Sequence, residues 1–495
     1  MTSSHVLDNR FDRRAWTLLL VVCGAVFLDG MDVSMVGVAL PSIDSDLHLS
    51  TSTLQWLVSG YVLGYGGLLL LGGRAADLLG RRRVFLIALA VFAVASLLGG
   101  LTSDGTLLIA TRFIKGLAAA FTAPAALSIV TTTFGEGKAR NKALAVYAAT
   151  GATGFSSGLV FGGLLTELGW RYAFLVPGPL AGLLFLLAVR YVPSDAGEEP
   201  AVERRHLDLP GAALISSSML LLVYTIVEAP DVGWATARTL GSLAVVALLI
   251  ATFVAVELRS LHPLVRLGIL RSSRLRRANV GAMVMLGAWF GFQFIGTLYL
   301  QQLRGWSALE MALAFLPAGA LVAIGSTQVG KIVDRFGTQR SIAAGMASFI
   351  VAYALATRIG ADTSYAATLL PTMLIAGVGF TLAFGPLNIA ATNGIADHEQ
   401  GLASGMFATS LQLGGAVVLA IVTAVMASGV SGSTAPASSA TAQLAGFHDG
   451  LIVTVAVASF GLLVSISGLL SEAGGRVGRV REAWQSAYSA LGSRS

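Results

Sequence analysis

Apolar residues fill this chain in long runs, and charged or turn residues punctuate them at regular intervals. An α-helix needs about 20 apolar residues to cross a hydrocarbon core roughly 30 Å thick. Runs of that length predict fourteen spanning helices, at 15–40, 53–73, 84–101, 106–134, 141–166, 171–191, 209–229, 237–258, 278–301, 307–330, 340–357, 364–390, 402–428 and 448–470. The first run is too long for a signal-peptide core and holds two aspartates, so it reads as a retained helix. The Ser/Ala/Thr/Gly-rich stretch 429–447 reads as an external loop. Around 259–277, Leu, Val and Ile alternate with Arg, which suits a segment lying along the membrane surface. After 471, Val477, Val480, Trp484, Tyr488 and Leu491 fall on one helical face behind Arg476, Arg479 and Arg481, again an interfacial pattern.

Composition agrees. Of 495 residues, 55% are hydrophobic and only 12% charged, about half the charge of a soluble protein. A soluble enzyme, a nucleic-acid binder and a secreted disulfide scaffold are all excluded as readings of the whole chain. Cys23 is the single cysteine, so no intrachain disulfide can form.

The net charge of +6 is explained by where the basic residues sit. With the N-terminus in the cytoplasm, alternate loops and both tails hold 26 of the 32 Lys and Arg, and the opposite loops hold four. That asymmetry is the positive-inside rule at work. It places both termini on the cytoplasmic side of the cell membrane and needs no nucleic-acid partner. The remaining two, Arg112 and Lys115, lie inside the fourth span.

Two cytoplasmic loops repeat one pattern. The first reads Gly73-Arg-Ala-Ala-Asp77-Leu-Leu-Gly80-Arg81, the second Gly330-Lys-Ile-Val-Asp334-Arg335-Phe-Gly337. Both are G-x-x-x-D-x-x-G, with a tight turn expected at each glycine and an aspartate able to meet an arginine or a helix N-terminus. Their matching positions argue for a duplicated six-helix unit.

These loops resemble the signature of the major facilitator superfamily. The first span ends Asp32-Val-Ser34-Met-Val-Gly37-Val-Ala-Leu-Pro41, similar to the pattern of its fourteen-spanner drug:proton antiporters. Arg112-Phe-Ile-Lys115-Gly116 resembles that family's R-x-x-Q-G. Gly154, Gly158, Gly162 and Gly163 in the fifth span resemble its antiporter motif, with Leu159 in place of the motif's proline. Leu78, Gly37 and Lys115 are further departures. Asp29-Gly30-Met31-Asp32 also resembles the D-G-x-D of aromatic-acid:proton symporters. The resemblance implies an all-α integral membrane fold with two pseudo-symmetric six-helix bundles, at 1–191 and 276–470. An inserted helix pair with an amphipathic linker (192–275) and a cytoplasmic tail (471–495) complete it. It implies a monomer that moves a small molecule together with protons, by alternating access.

Charge within a bilayer is costly and marks function by default. Asp29 and Asp32 are three residues apart, as are Arg112 and Lys115, and these four are the candidate proton-coupling residues. Counting 1.5 Å per residue from the outer helix ends gives depths of roughly 13 Å for Asp32, 18 Å for Asp29, 9 Å for Arg112 and 13–14 Å for Lys115. The register predicts Asp32 paired with Arg112 and Asp29 with Lys115.

The second half has no such acid. It offers Trp289, Phe292, Gln293, Tyr299 and Gln301 in the ninth span, with Asn388 and Gln412, as lining for a mostly apolar substrate cavity. Small residues on the fifth span suit close helix packing.

Enzyme chemistry is missing. Gly325-Ser-Thr-Gln-Val-Gly330-Lys331-Ile332 falls one residue short of a phosphate-binding loop, because Ile332 cannot ligate magnesium. No catalytic or metal-ligand spacing occurs among the six histidines, and no cofactor is implied. The expected function is proton-coupled export of lipophilic drugs or antibiotics, cationic ones among them. The alternative is proton-coupled uptake of an organic acid or another small nutrient.

Overall fold

The structure, a computed structural model, describes residues 13–134, 138–193, 208–260, 267–393, 395, 400–432, 436 and 439–492, with no side chain beyond 471. Helices α1 (Arg13–Leu47), α2 (Thr51–Leu79), α3 (Arg81–Leu101), α4 (Gly105–Thr133) and α5 (Lys138–Leu168) come first. Next, α6 (Tyr172–Leu175) and α7 (Pro177–Tyr191) form one rod interrupted at Pro177, which lacks the amide hydrogen that a continuous helix needs. The pair α8 (Leu209–Val232) and α9 (Ala237–Arg259) follows. Then come α10 (Ser273–Leu298), extended by a π-helical turn at Tyr299–Leu303, α11 (Ala308–Ser326), the short α12 (Val329–Phe336) and α13 (Thr338–Ala356). The last are α14 (Leu370–Thr392), α15 (Gln400–Gly432) and α16 (Ala440–Gly492). Among the described residues there is no strand, and ten helical segments are long and apolar enough to cross a membrane. Helices also occupy the predicted second, fifth, seventh and eleventh spans, as α2, α5, α8 and α13.

Local chemistry starts these helices where the sequence places polar residues. Asp104 accepts from the Leu107 amide at 2.7 Å, and Asp208 from that of Gly211 at 2.8 Å. Ser307 and Glu310 form a reciprocal capping box at the start of α11, satisfying two amides that the helix itself leaves unpaired.

Two expectations are corrected. The loop predicted over 429–447 is much shorter, because α15 runs to Gly432 and α16 begins at Ala440, where alanines favour helix. Beyond the last predicted span the backbone of α16 stays helical to Gly492. In the repeated loops only the second glycine of each makes a turn. Gly80 and Gly337 take φ of 94° and 85°, a region that L side chains avoid. Gly73 lies inside α2 and Gly330 inside α12, so each motif is a helix end followed by a one-residue joint.

Close helix approach builds the interior. A side chain at Gly64, Gly72 or Gly116 would collide with backbone across the α2–α4 interface. Gly154, Gly158 and Gly162 do the same for α5 against α1, while Gly163 turns to α11 at Leu309 and Ala312. The four-residue spacing of the first three makes a flat ridge, as small residues do in membrane helices. Large apolar side chains such as Leu101 (72% exposed) and Leu248 (65%) face outward, where lipid replaces water as the solvent. The α8–α9 pair is peripheral: α8 packs on α2 and α15, and α9 on α8.

The two halves of the chain meet at one end. Gln301 Nε2 donates to Val38 O at 2.9 Å, Gln302 Nε2 to Asp44 Oδ2 at 3.2 Å, and the Leu309 amide to Glu167 Oε1 at 3.3 Å. Thr423 Oγ1 donates to Gln55 Oε1 nearby. All four lie at the ends remote from the basic loops. One cluster of buried residues is shared by both halves, and in the later half it reaches the basic-loop ends at Leu275, Ile342 and Ala403. Toward the basic loops, residues of α1, α2, α3, α4, α5 and α7 form a second cluster with no member from the later half.

Candidate functional site

The deepest polar feature is a cluster of ions between α1 and α4. Asp32, Arg112 and Lys115 are 0%, 1% and 0% exposed, and Asp29 is 7% exposed. Arg112 NH1 donates to Asp32 Oδ2, and Lys115 Nζ donates to Asp32 Oδ1, so each carboxylate oxygen has its own cation. The cations are held on their other sides too. Arg112 Nε donates to Leu57 O at 2.9 Å, and its guanidinium lies 4.6 Å from the centroid of the Tyr61 ring. Lys115 Nζ donates to Ser96 Oγ at 3.0 Å and lies 4.7 Å from the Phe92 ring and 5.5 Å from that of Phe174. Ser96 Oγ in turn donates a hydrogen bond to Phe174 O at 2.7 Å. Buried charges persist only with such pairing and hydrogen bonding.

The packing explains why these groups meet. Gly116, beside Lys115, presses on the Tyr61 carbonyl, and this contact draws α4 against α2 and turns Arg112 and Lys115 toward α1.

One predicted pair forms and the other does not. Asp32 meets Arg112 as the register suggests. Lys115 binds Asp32 rather than Asp29, whose Oδ2 is buried without a hydrogen-bond partner. Three residues along a helix rotate a side chain by about 300°, which leaves Asp29 about 60° off the line of Asp32. A four-carbon lysine stem also spans the small difference in depth. Ser96, Tyr61 and the Leu57 carbonyl were not predicted. Ser96 had a visible signal, being the only hydroxyl between Val84 and Gly100; a carbonyl has none.

The candidate cavity residues fall into separate places. Gln293 Nε2 lies near Gly37 of α1, where an added side chain would come within 3.4 Å, and Gln412 faces Gly66 of α2 in the same way at 2.8 Å. Both therefore sit where the halves face each other. Trp289 stacks edge-on with Phe380, ring centroids 5.8 Å apart. Phe292 packs among Phe315 and Tyr353 at 5.9 and 5.1 Å, inside the second half. Tyr299 donates to Gly360 O at 2.8 Å and Gln301 crosses to α1, so these two belong to the end where side chains join the halves. Asn388 is exposed on α14. Near Gln301, a cleft of about 310 Å³ is lined by Ser42, Thr166, Glu167 and Trp306.

Of the repeated loops, Arg82 donates to Val189 O at 2.6 Å, tying the α2–α3 joint to the end of α7. Asp334 and Arg335 are exposed. The side chain of Asp77 lies outside the described residues, and Arg81 is half-buried. No group of three potential metal ligands occurs among the described residues.

Together the apolar helices and the buried ions define a multi-pass membrane protein that holds charge within its helical interior. Residues 22–419 match the family model of the Major Facilitator Superfamily, and the chain belongs to that superfamily. It is a membrane transporter for small molecules, not an enzyme. It is 35% identical over 459 residues to the puromycin resistance protein pur8 of Streptomyces alboniger, covering 90% of each chain. It is 36% identical over 451 residues to the cephamycin export protein CmcT of Amycolatopsis lactamdurans, again covering 90% of each. Its fold is similar to that of a bacterial homologue of the human lysosomal transporter Spinster in an inward-facing, occupied conformation. That likeness has a TM-score of 0.66 at 15% identity and covers 92% of this chain and 97% of the other.

Proposed function

We propose that this transporter exports lipophilic, cationic antibiotics or drugs from the cytoplasm in exchange for protons. The observation that carries the reading is the buried cluster of Asp29, Asp32, Arg112 and Lys115, a set of ions that packing alone would not retain. The relatives named for puromycin resistance and cephamycin export support the substrate class and the direction.

In this reading the chain is a fourteen-span monomer in the cell membrane with both termini in the cytoplasm. Residues 1–191 and 276–470 form two pseudo-symmetric bundles, 192–275 an inserted pair, and 471–495 a cytoplasmic tail. The seam of Gln301, Gln302, Glu167 and Thr423 then closes the outer side and leaves the inner side open to substrate. Gln293 and Gln412, with Trp289 and Phe292 behind them, supply a mostly apolar wall with a few amides. Tyr299 and Gln301 cap that space from outside, and Asn388 lies toward its inner mouth. Gly154, Gly158, Gly162 and Gly163 let α5 slide against α1 and α11. The loops of Gly73, Asp77, Gly80 and Arg81, and of Gly330, Asp334, Arg335 and Gly337, are the inner joints that rearrange as the bundles rock. Exchange of one proton for one monovalent cation moves no net charge, so its drive is the pH difference, about 1.4 kcal/mol or tenfold in substrate per pH unit.

Accumulation of a dye panel in cells tests this. Wild type is expected to lower intracellular ethidium relative to Asp32→Asn, and an uncoupler to abolish the difference. Raised accumulation of a carboxylate dye in wild-type cells would overturn export in favour of uptake.

A further inference from the structure

Two acids and two bases are buried together, yet the geometry shares them unequally. Both bases are bound to Asp32, one on each oxygen. Asp29 holds neither; its Oδ2 is buried and has no hydrogen-bond partner, and only its backbone carbonyl accepts, from Tyr61 at 3.4 Å. The titratable groups that face Asp29 are Asp32 on α1, Tyr61 and Tyr65 on α2, Lys115 on α4 and Tyr147 on α5. Cys23 lies beyond Tyr147, and Arg112 beyond Asp32.

We propose that Asp29 is the residue that takes up and releases the coupled proton, and that Asp32 is a fixed anion whose task is to keep Arg112 and Lys115 in the membrane. Protonating Asp32 would leave two adjacent cations, both fully buried, without a counter-ion. Protonating Asp29 breaks no ion pair, because both cations are bonded to Asp32. The step balances simply: an O–H bond forms at the Asp29 carboxylate with a proton from water on one side, and the same bond later breaks to water on the other.

The charge of the cluster then has two values. With Asp29 ionised, two acids and two bases cancel; with Asp29 protonated, one positive charge is left over. A cationic substrate approaching α1 is repelled by the second state and tolerated by the first, so proton and cation exclude each other from the same region. Mutual exclusion of that kind is what exchange in opposite directions requires. The transport arm of this inference rests on the proton-coupled export reading above; the assignment of the titrating carboxyl does not.

Infrared difference spectroscopy on the purified full chain in lipid nanodiscs separates the two aspartates. Raising the pH of wild type is expected to remove a protonated-carboxyl C=O band. Asp29→Asn should lack that band, and the conservative Asp32→Glu, which keeps the clamp and so the fold, should leave it unshifted. In proteoliposomes under an imposed pH gradient, Asp29→Asn should lose gradient-driven ethidium uptake and keep ethidium–ethidium exchange. A band that persists in Asp29→Asn and shifts in Asp32→Glu overturns the proposal, as does gradient-driven uptake unchanged in Asp29→Asn. Wild-type vesicles that move no ethidium would count against export alone, and the infrared band would still decide between the aspartates.

Discussion

Asp32 is a single side chain on which two buried cations depend, and its loss has a calculable cost. Removing one partner of a buried ion pair typically costs about 3–5 kcal/mol, because the other charge stays behind. Asp32→Asn leaves both Arg112 and Lys115 without their carboxylate. It is therefore expected to lower thermal stability more than Asp29→Asn, and adding Lys115→Gln should recover part of the loss. A double-mutant cycle by thermal denaturation in detergent checks this: the coupling between Asp32 and Lys115 should be large and that between Asp29 and Lys115 small. Equal couplings would mean that Lys115 is shared. The identities of these four charges were plain in the sequence, since a polar residue within an apolar run has no structural excuse. Their pairing was not, because depth along a helix says nothing of rotation about it.

At the scale of the element, glycine decides how near two helices come. Gly116 abuts the Tyr61 carbonyl and Gly158 abuts Met31 and Ser34, so both interfaces exclude even a methyl group. Gly182, on α7, has nothing within 4 Å of where a side chain would go. Gly116→Ala and Gly158→Ala are expected to destabilise by about 1–3 kcal/mol or more through overpacking. Gly182→Ala should instead gain a few tenths to about 1 kcal/mol from helix propensity. Monodispersity on size-exclusion and the melting temperature of the three variants measure the contrast; equal behaviour would remove the close-packing account of the fifth span. The small-residue face was legible from its four-residue spacing. That Gly163 turns away to α11, while its neighbour Gly162 stays on α1, needed the structure, since adjacent residues on a helix point about 100° apart.

Across the whole molecule, the hydrogen bonds that join the halves through Gln301, Gln302, Leu309 and Thr423 lie at the end remote from the basic loops. If transport proceeds by alternating access, that seam must open in each cycle. In a Cys23→Ser background, Asp44→Cys with Gln302→Cys puts a thiol on each of two facing residues whose longer side chains now meet at 3.2 Å. A short bifunctional thiol reagent is expected to link them, stop ethidium efflux, and release it again on reduction. Efflux that continues after complete linkage would mean that the seam does not move. Helices lie over the predicted spans, ten of the segments long and apolar enough to cross a membrane, because transfer of apolar surface into lipid and backbone self-satisfaction are read one segment at a time. The shortened 433–439 connection differs from expectation for a related reason: composition marks a stretch as polar and small, but alanine-rich segments stay helical when a neighbour supports them.

The sequence by itself determined that this chain lies in a membrane, where its helices run, which ends carry the basic residues, and which four charges are out of place. Those properties follow from solvation and local hydrogen bonding, which each segment expresses alone. Only the tertiary structure decided that Lys115 joins Arg112 on Asp32, that Asp29 Oδ2 is left without a hydrogen-bond partner, that Phe292 is packing while Gln293 faces the other half, and at which end side chains bond across the halves. Those are outcomes of helix rotation and closest approach, set by side chains far apart in the chain, and no local pattern encodes them.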